Sequence, residues 1–288
     1  MSEDPRRDAA ANPVVERYDR DADRYGRHWA PVLDTSARAL LARVATDVRR
    51  LPAAPVIVDV GTGLGVLALE ALARWPAATV VATDASAGML REAQATAARL
   101  GLGDDPRLRW VHAPAHALGL PDRSVDLVVS SFVFQLVPDR AAAFAEARRV
   151  LRPGGTLAFV TWLDRGEDYA PAWEFDEAVL DVGIEEDEPE GEDRRAGDFR
   201  SSRAAARELR AAGFRGISAR PDRLTFRWSE EEYLAFKRAY EEDELFASLD
   251  AATADALVAR ARERWATLHP DDWTWRAELV SAVAFAPR

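Results

Sequence analysis

Apolar and polar positions form regular blocks through the middle of the chain, where short apolar runs alternate with amphipathic segments. Nearly continuous apolar runs of this length are typical of strands covered on both faces of a sheet. Strands that alternate with helices predict a parallel α/β sheet with right-handed crossovers. The predicted strands are 56–60, 79–84, 108–113, 125–131 and 156–162.

The segments between these strands carry residues that start and stop helices. Ser86 begins the segment SAGMLREAQATAARL as a side-chain cap, and Gly101 follows that segment as a stop. Another segment, DRAAAFAEARRVL, ends before Pro153. A third pattern, VLALEALARW, follows the first strand, so helices are predicted after the first, second and fourth strands.

The N-terminal part predicts two helices that precede the alternating region. In the first, Tyr18, Tyr25 and Trp29 are spaced by seven and four residues, so they share one helix face. The second, LDTSARALLARVATDVRRL, is predicted to begin near Thr35 or Ser36.

The regular alternation ends after the strand at 156–162. An acidic run, EEDEPEGED at 185–193, predicts a solvated loop, with a specific electrostatic role as the alternative. A helix and a strand follow, then a helical stretch and a closing strand. We expect the helical stretch to be an insertion between two neighbouring strands of the sheet. The predicted units are an N-terminal helical segment (1–50), an α/β core (51–165), an acidic loop with a helix and a strand (166–228), a helical substrate cap (229–276) and the last strand (277–288).

Composition narrows the classes of function. The chain has 288 residues, of which 48% are apolar and 30% charged, as in globular proteins. A net charge of −11 disfavours nucleic acid as a partner, with a local basic patch as the alternative. The absence of cysteine excludes disulfides and sulfur-ligated metals, and no metal is predicted. No leader-like or membrane-spanning apolar run occurs, so a cytoplasmic protein without a membrane segment is expected.

Glycines at alternate positions follow the first predicted strand, in the stretch VDVGTGLG at 58–65. Such glycines bring backbone N–H groups and a helix N-terminus close to a ligand. The dinucleotide fingerprint GxGxxG requires a third glycine where this chain has Val66, so NAD is disfavoured. Asp84 ends the second strand, where a carboxylate can accept hydrogen bonds from both hydroxyls of a ribose.

Four further blocks accompany the glycine loop: VVATDASAGML, LPDRSVDLVVSS, FVFQLVPD and RRVLRPGGTLAFVTW. With them, residues 55–165 resemble a class I S-adenosylmethionine-dependent methyltransferase. The resemblance implies a doubly wound, Rossmann-like sheet of seven strands in the order 3-2-1-4-5-7-6, with N-terminal helices and a helical lid between the last two strands. It also implies S-adenosylmethionine as cofactor, S-adenosylhomocysteine as product and a small molecule as acceptor.

The resemblance implies roles for residues at the strand ends. Gly61 and Gly63 would approach the methionine part of the cofactor, and Asp84 would bind the ribose. Asp59 would order the loop or hold the amino group through water, and Ser130 would lie beside the sulfonium. The alternatives are structural roles, as a turn cap for Asp59 and a strand end for Ser130. The predicted cofactor contacts are Tyr25, Asp59, Gly61, Thr62, Gly63, Gly65, Asp84, Ala85, Met89, Ala115, His116 and Ser130.

One position departs from the family pattern, at the adenine end. The family often has an Asp after the third strand that accepts a hydrogen bond from the adenine amine, and this chain has Pro114 there. Proline offers neither a carboxylate nor an N–H, so adenine must be held by the backbone of Ala115, by His116 or by packing, with Ala85 against the ring. A charge-assisted hydrogen bond contributes roughly 1.5–3 kcal/mol, so weaker or compensated cofactor affinity is expected.

Methyl transfer is an in-line displacement that an enzyme accelerates mainly by aligning the reacting atoms. A base is needed only where the acceptor must lose a proton. His28 is the first candidate base, and Gln135 is predicted to orient the acceptor. Aromatic residues near the N-terminus and beyond the fifth strand predict an apolar or aromatic acceptor under a lid, with ordinary core packing as the alternative. The predicted acceptor contacts are Tyr18, Trp29, Phe132, Trp162, Trp173 and Tyr233.

These features predict a methyltransferase for a small apolar or aromatic metabolite, with O-methylation first and N- or C-methylation next. One alternative is a protein that binds the cofactor for a non-methylating reaction, as a cyclase, a pericyclase or a regulatory binder. An NAD-dependent reductase and an RNA methyltransferase are weaker alternatives. The acceptor's identity and the oligomeric state do not follow from the sequence.

Overall fold

The computed structural model of the chain describes residues 12–47, 51–164, 168–184 and 197–288. The acidic run at 185–193 lies outside these residues. The strands are β1 (Val56–Val60), β2 (Thr79–Asp84), β3 (Leu108–His112), β4 (Val125–Ser131), β5 (Leu151–Trp162), β6 (Arg215–Arg227) and β7 (Thr274–Phe285).

These strands, within the described part of the chain, form one seven-stranded sheet in the order β3-β2-β1-β4-β5-β7-β6. The predicted order is confirmed. The first five strands are parallel, and β7 runs antiparallel to both β5 and β6. The carboxyl ends of β1, β2 and β4 therefore meet at one edge of the sheet.

The fifth strand begins earlier than predicted. Leu151 pairs with Val125 before the register shifts, and regular pairing resumes at Thr156 opposite Leu127. The predicted start at 156 is therefore wrong, because this irregular first part of β5 contains Gly154 and Gly155, which break the apolar run.

Helices cover both faces of the sheet and extend beyond its edge. Among the described helices, none has the length and apolar character needed to cross a membrane. The helices are α1 (Pro13–His28), α2 (Ala30–Asp47), α3 (Val66–Arg74), α4 (Ala87–Arg99), α5 (Arg140–Val150), α6 (Ala170–Val182), α7 (Ser202–Ala211), α8 (Glu230–Phe236), α9 (Asp243–Ser248) and α10 (Ala251–Trp265), with a π-helical turn at Lys237–Glu241.

Local signals explain most helix ends. The Asn12 side chain accepts a hydrogen bond from the N–H of Val14 (3.0 Å), and the Ser86 hydroxyl accepts one from Met89 (3.0 Å). The predicted start of the second helix near Thr35 is wrong, because α2 follows α1 almost directly and begins at Ala30. Pro31 is tolerated in its first turn, where the N–H has no intrahelical partner.

Consecutive strand residues point to opposite faces, so the core has two halves. Ile57 belongs to the half covered by α2, α3, α6 and α10. Val58 belongs to the half covered by α5 and α7. This double coverage explains why the inner strands β1, β2 and β4 are nearly continuous apolar runs.

Helix α1 connects the sheet edge with the helices inserted between β6 and β7. The Asp19 carboxylate accepts hydrogen bonds from the Ser86 hydroxyl (3.1 Å) and from the N–H of Gly88, at the start of α4. Arg24 forms an ion pair with Asp243 of the insertion. Helix α1 is therefore held over the edge where β1, β2 and β4 end.

Candidate cofactor and acceptor site

A cavity of about 460 Å³ lies at the carboxyl ends of β1, β2 and β4. In doubly wound sheets ligands bind at this edge, beside the point where the strand order reverses. Its wall includes Gly61 and Gly63 after β1, Asp84 and Met89 at the end of β2 and in α4, and Tyr18 on α1. Residues that the sequence predicts for cofactor and acceptor thus line one space.

The glycine loop contributes two different positions to this wall. Gly61 (φ +67°) and Gly63 (φ +52°) both have left-handed backbone. A Cβ on Gly61 would lie 2.3 Å from Cγ2 of Val133, whereas a Cβ on Gly63 would meet no atom within 4 Å. Gly61 therefore packs against the loop after β4, and Gly63 leaves space for a ligand.

Asp84 organises the loop from the end of β2. Its carboxylate accepts hydrogen bonds from the N–H of Gly63 (2.8 Å) and of Ser86 (2.9 Å). Burial raises the pKa of Asp84, and these backbone donors oppose that rise. His112 donates through Nε2 to the carbonyl of Ala85 (2.8 Å). The Asp84 carboxylate faces the cavity with lone pairs left for a ligand hydroxyl.

Asp59 lies deeper, with 1% of its surface exposed. Its Oδ2 accepts hydrogen bonds from the Thr62 hydroxyl (2.7 Å) and the N–H of Ala68 (3.1 Å). Its Oδ1 has no hydrogen-bond partner among the described residues. Burial is the main cause that raises the pKa of Asp59 to about 7. Gly65 is the N-cap residue of α3 and does not line the main cavity.

The adenine end predicted from the sequence is also part of the wall. Pro114, Ala115 and His116 line the cavity beyond β3, next to Ala85. Their contacts with adenine stay a prediction.

Few ionisable groups face the main cavity. Apart from Asp84 and the tyrosines of α1, they are His116 and Asp139, and Asp139 is engaged in capping α5 through the N–H of Ala142 (2.9 Å). No lysine or arginine of the described chain lines the cavity. Within those same residues, no group of three His, Asp or Glu side chains is placed to hold a metal ion.

Ser130 lies away from the cavity, although it was predicted beside the sulfonium. It is fully buried, and its hydroxyl donates to the carbonyl of Val60 (2.9 Å). The neighbouring Ser131 lines the cavity instead. The correction follows from strand geometry, because adjacent residues point in opposite directions.

Gln135 and His28, the predicted catalytic residues, do not line the cavity. The Gln135 amide donates to the carbonyl of Phe132 (2.8 Å), and its Oε1 accepts a hydrogen bond from the Thr161 hydroxyl. Both ends of the amide are thus occupied, which contradicts its predicted contact with the acceptor. Phe132 has a left-handed backbone (φ +56°) that is rare for a bulky residue, so Gln135 stabilises a strained residue of the wall.

The predicted aromatic contacts divide into two groups. Tyr18, Tyr25 and Phe132 line the cavity. Trp29 and Trp162 do not, because they pack against each other (ring centroids 6.3 Å apart) and against the rings of the helical insertion and β7. Trp29 and Trp162 therefore have the role given as the alternative, which is ordinary core packing.

Two more predicted acceptor contacts lie far from the wall. Trp173 is 55% exposed on α6, and Tyr233 is buried against Tyr169 and Trp265 (centroids 5.4 and 5.7 Å). Sequence reasoning missed an apolar part of the wall on α1 and on the loop after β4. Only the Asn12-Pro13 helix start signalled that α1 reaches this far. The missed residues include Val14, Val15, Val133, Leu136 and Val137.

The comparison with known families concerns the part of the chain that carries the glycine loop and Asp84. Residues 58–159 match the family described as "Methyltransferase domain". These residues form a methyltransferase domain. The predicted family is confirmed for this part of the chain.

Curated relatives match the methyltransferase domain and its surroundings. The chain is 40% identical over 123 residues to trans-aconitate 2-methyltransferase of Azoarcus sp. (strain BH72). The aligned residues cover 43% of each of the two chains. It is 42% identical over 108 residues to malonyl-[acyl-carrier protein] O-methyltransferase of Geobacter sulfurreducens, covering 38% of this chain and 39% of the relative. The matches thus span about two fifths of these relatives.

A solved structure shows the same fold over almost the whole chain. Phosphoethanolamine N-methyltransferase 2 of Haemonchus contortus is similar with a TM-score of 0.54 and 17% identity, over 98% of this chain and 59% of that one. It was solved with S-adenosylhomocysteine, the product form of the cofactor predicted here. At this identity the similarity concerns the fold.

The site of the methyltransferase domain fits S-adenosylmethionine on three observations. Gly63 leaves an open cradle beside the loop. Asp84 presents a carboxylate where a ribose would be bound. Asp59 has a buried oxygen without a protein partner, suited to a donor of positive charge.

We expect binding of S-adenosylhomocysteine to depend on pH through Asp59. Its pKa of about 7 lies above the ordinary 3.8, so the folded protein without ligand favours the protonated form below pH 7. A nearby ammonium group favours the carboxylate, so affinity should rise about tenfold from pH 6 to pH 8, with proton release at pH 7. Calorimetric titrations in buffers of different ionisation enthalpy measure both effects. A flat profile that matches Asp59→Asn would contradict the expectation.

Proposed function

We propose that this chain transfers a methyl group from S-adenosylmethionine to an acidic oxygen of a small, largely apolar molecule. The observation that carries the proposal is a single cavity that joins Gly63 and Asp84 to an apolar wall without lysine or arginine. The first two residues suit the cofactor, and the apolar wall suits the acceptor.

When bound, S-adenosylmethionine supplies an electrophilic methyl group on its sulfonium. The chain's own residues hold and align the two ligands. Asp84 accepts hydrogen bonds from the ribose while it orders the N–H of Gly63. Tyr18 and Tyr25, on α1, exclude water from the space above the loop. Alignment of the reacting atoms can supply a large part of the rate.

The acceptor is inferred from what the wall lacks. Among the described residues, His116 is the one imidazole on the wall, and it lies at the end assigned to adenine. Asp139 is occupied as a helix cap. An acceptor that is already ionised at neutral pH, such as a carboxylate or the phenolate of an acidic phenol, needs no base. The absence of basic side chains from the described wall disfavours an acceptor with several negative charges.

The curated relatives support oxygen as the acceptor atom. One is named for trans-aconitate and the other is named an O-methyltransferase of a malonyl group, and both groups contain carboxylates. Trans-aconitate carries more charge than the apolar wall described above can accommodate. The proposal therefore shares the type of acceptor atom with these relatives and differs in the polarity of the acceptor.

The test is turnover of a matched panel with S-adenosylmethionine. The panel contains an apolar monocarboxylate, its primary amide, an apolar phenol acidic enough to be ionised at neutral pH, and a tricarboxylate. We expect S-adenosylhomocysteine and methylated product in equal amounts with the monocarboxylate or the phenol, and neither with the amide or the tricarboxylate. Methylation of nitrogen or carbon, or conversion of an acceptor without S-adenosylhomocysteine, as in a cyclase, would overturn the proposal.

A further inference from the structure

A second, small cavity of about 50 Å³ adjoins the main cavity at Gly61 and Gly63. Tyr25, Ser131 and Phe132 line both spaces. The small cavity has about a ninth of the volume of the main cavity, so it suits a small group and not the body of a cofactor. It is thus a side pocket of the main site.

Two carboxylates line this side pocket, and they come from different parts of the chain. Asp59 belongs to β1, and Asp34 comes from the first turns of α2. No other charged side chain of the described chain lines it. The pocket therefore has a negative electrostatic character and suits a positively charged group.

Asp34 has little compensation from the protein. About a third of its side chain (34%) is exposed, and its nearest cation, the Arg38 guanidinium, lies at 3.9 Å. Arg38 is directed to Glu70 instead, at 2.8 Å. Burial raises the pKa of Asp34, and Arg38 only partly opposes that rise.

Asp59 gives independent evidence of a ligand. Its carboxylate is almost completely buried, yet Oδ1 has no partner within the described residues. A buried charged oxygen without a donor is costly, so native structures normally satisfy it with protein, water or ligand. A cationic donor in the side pocket would satisfy this oxygen.

We propose that Asp34 of α2, together with Asp59, holds the amino group of the cofactor's methionine in the side pocket. The inference rests on S-adenosylmethionine as the cofactor. The pocket adjoins Gly61 and Gly63, where the methionine part is expected, and it is too small for adenine or ribose. The cofactor's own carboxylate is excluded because two carboxylates line the pocket.

Asp34 lies outside the family match at 58–159. Helix α2 therefore contributes a charge that selects the amino form of the ligand, in addition to the glycine loop of the domain. Tyr25, which lines both cavities, separates this charged pocket from the apolar wall.

The experiment compares two ligands by calorimetry: S-adenosylhomocysteine and its analogue without the α-amino group. We expect Asp34→Asn to weaken S-adenosylhomocysteine about tenfold and to leave the analogue unchanged. Asp34→Ser should behave in the same way. The matched control is Asp23→Asn, because Asp23 is an exposed acid that pairs with Arg27 (2.7 Å) on α1. This control should bind both ligands as the wild-type protein does.

Three outcomes would overturn the inference. Unchanged binding of both ligands by Asp34→Asn would show that Asp34 does not contact the amino group. Equal weakening of both ligands, with a lower melting temperature, would assign Asp34 a role in folding. If the wild-type protein binds neither ligand, the proposed cofactor is wrong, and this failure is distinct from the first two.

Discussion

The Asp84→Asn variant is expected to bind S-adenosylhomocysteine about a hundredfold more weakly than the wild-type protein. The carboxylate accepts hydrogen bonds from the N–H groups of Gly63 and Ser86 and faces the cavity. An asparagine has one acceptor oxygen, so its NH₂ group would oppose a backbone donor or a ribose hydroxyl. Hydrogen bonds to charged groups contribute roughly 1.5–3 kcal/mol each, and the loss of one or two accounts for this factor.

Calorimetric titration at pH 8 measures the Asp84 effect. Asp104→Asn is the matched control, because Asp104 is an exposed acid in the loop before β3 and lines no part of the main cavity. Its affinity should equal that of the wild-type protein. An Asp84→Asn variant that melts normally and binds within threefold of the wild type would show that Asp84 does not hold the ribose.

Replacement of Gly61 by alanine should lower the free energy of unfolding by about 2–4 kcal/mol. The added Cβ would lie 2.3 Å from Cγ2 of Val133, and overpacking of this kind costs roughly 1–3 kcal/mol. The left-handed backbone (φ +67°) adds roughly 1–2 kcal/mol of strain for a residue with a Cβ. Urea unfolding of the protein without ligand measures the sum.

Two further variants separate the clash from the strain. The double variant Gly61→Ala/Val133→Ala should recover the part due to the clash. Gly63→Ala has the strain alone, because its Cβ would meet no atom within 4 Å. Gly63→Ala should therefore be the more stable single variant, yet it should lose binding of S-adenosylhomocysteine, because its methyl group would project into the cavity. Equal stability losses for the two single variants would contradict the assigned packing.

The inner strands of the sheet were predictable from sequence because they are buried on both faces. That burial favours apolar residues at nearly every position, so β1, β2 and β4 match their predicted bounds. Gly61, Gly63 and Asp84 were also predictable, since the turn after a strand restricts which residues can approach a ligand. Their placement on one cavity wall agrees with the predictions, while their contacts with the cofactor stay predictions.

Side-chain direction was not predictable for other residues. Ser130 and Ser131 are chemically identical neighbours, and only the end of β4 decides which one faces the cavity. Trp29 and Trp162 are aromatic residues of the kind that can line a pocket, but their rings stack against each other. The partner that holds Gln135 is Thr161, on a different strand, and no local pattern indicates this contact.

The wall formed by α1 and α2 has a consequence for how this protein is divided. The family match begins at residue 58, whereas Tyr18, Tyr25 and Asp34 line the two cavities from the preceding helices. A fragment trimmed to the matched residues would keep the glycine loop and lose the opposite wall. The residues that match the family are thus fewer than the residues that form the binding site. A truncated protein should therefore keep α1 and α2.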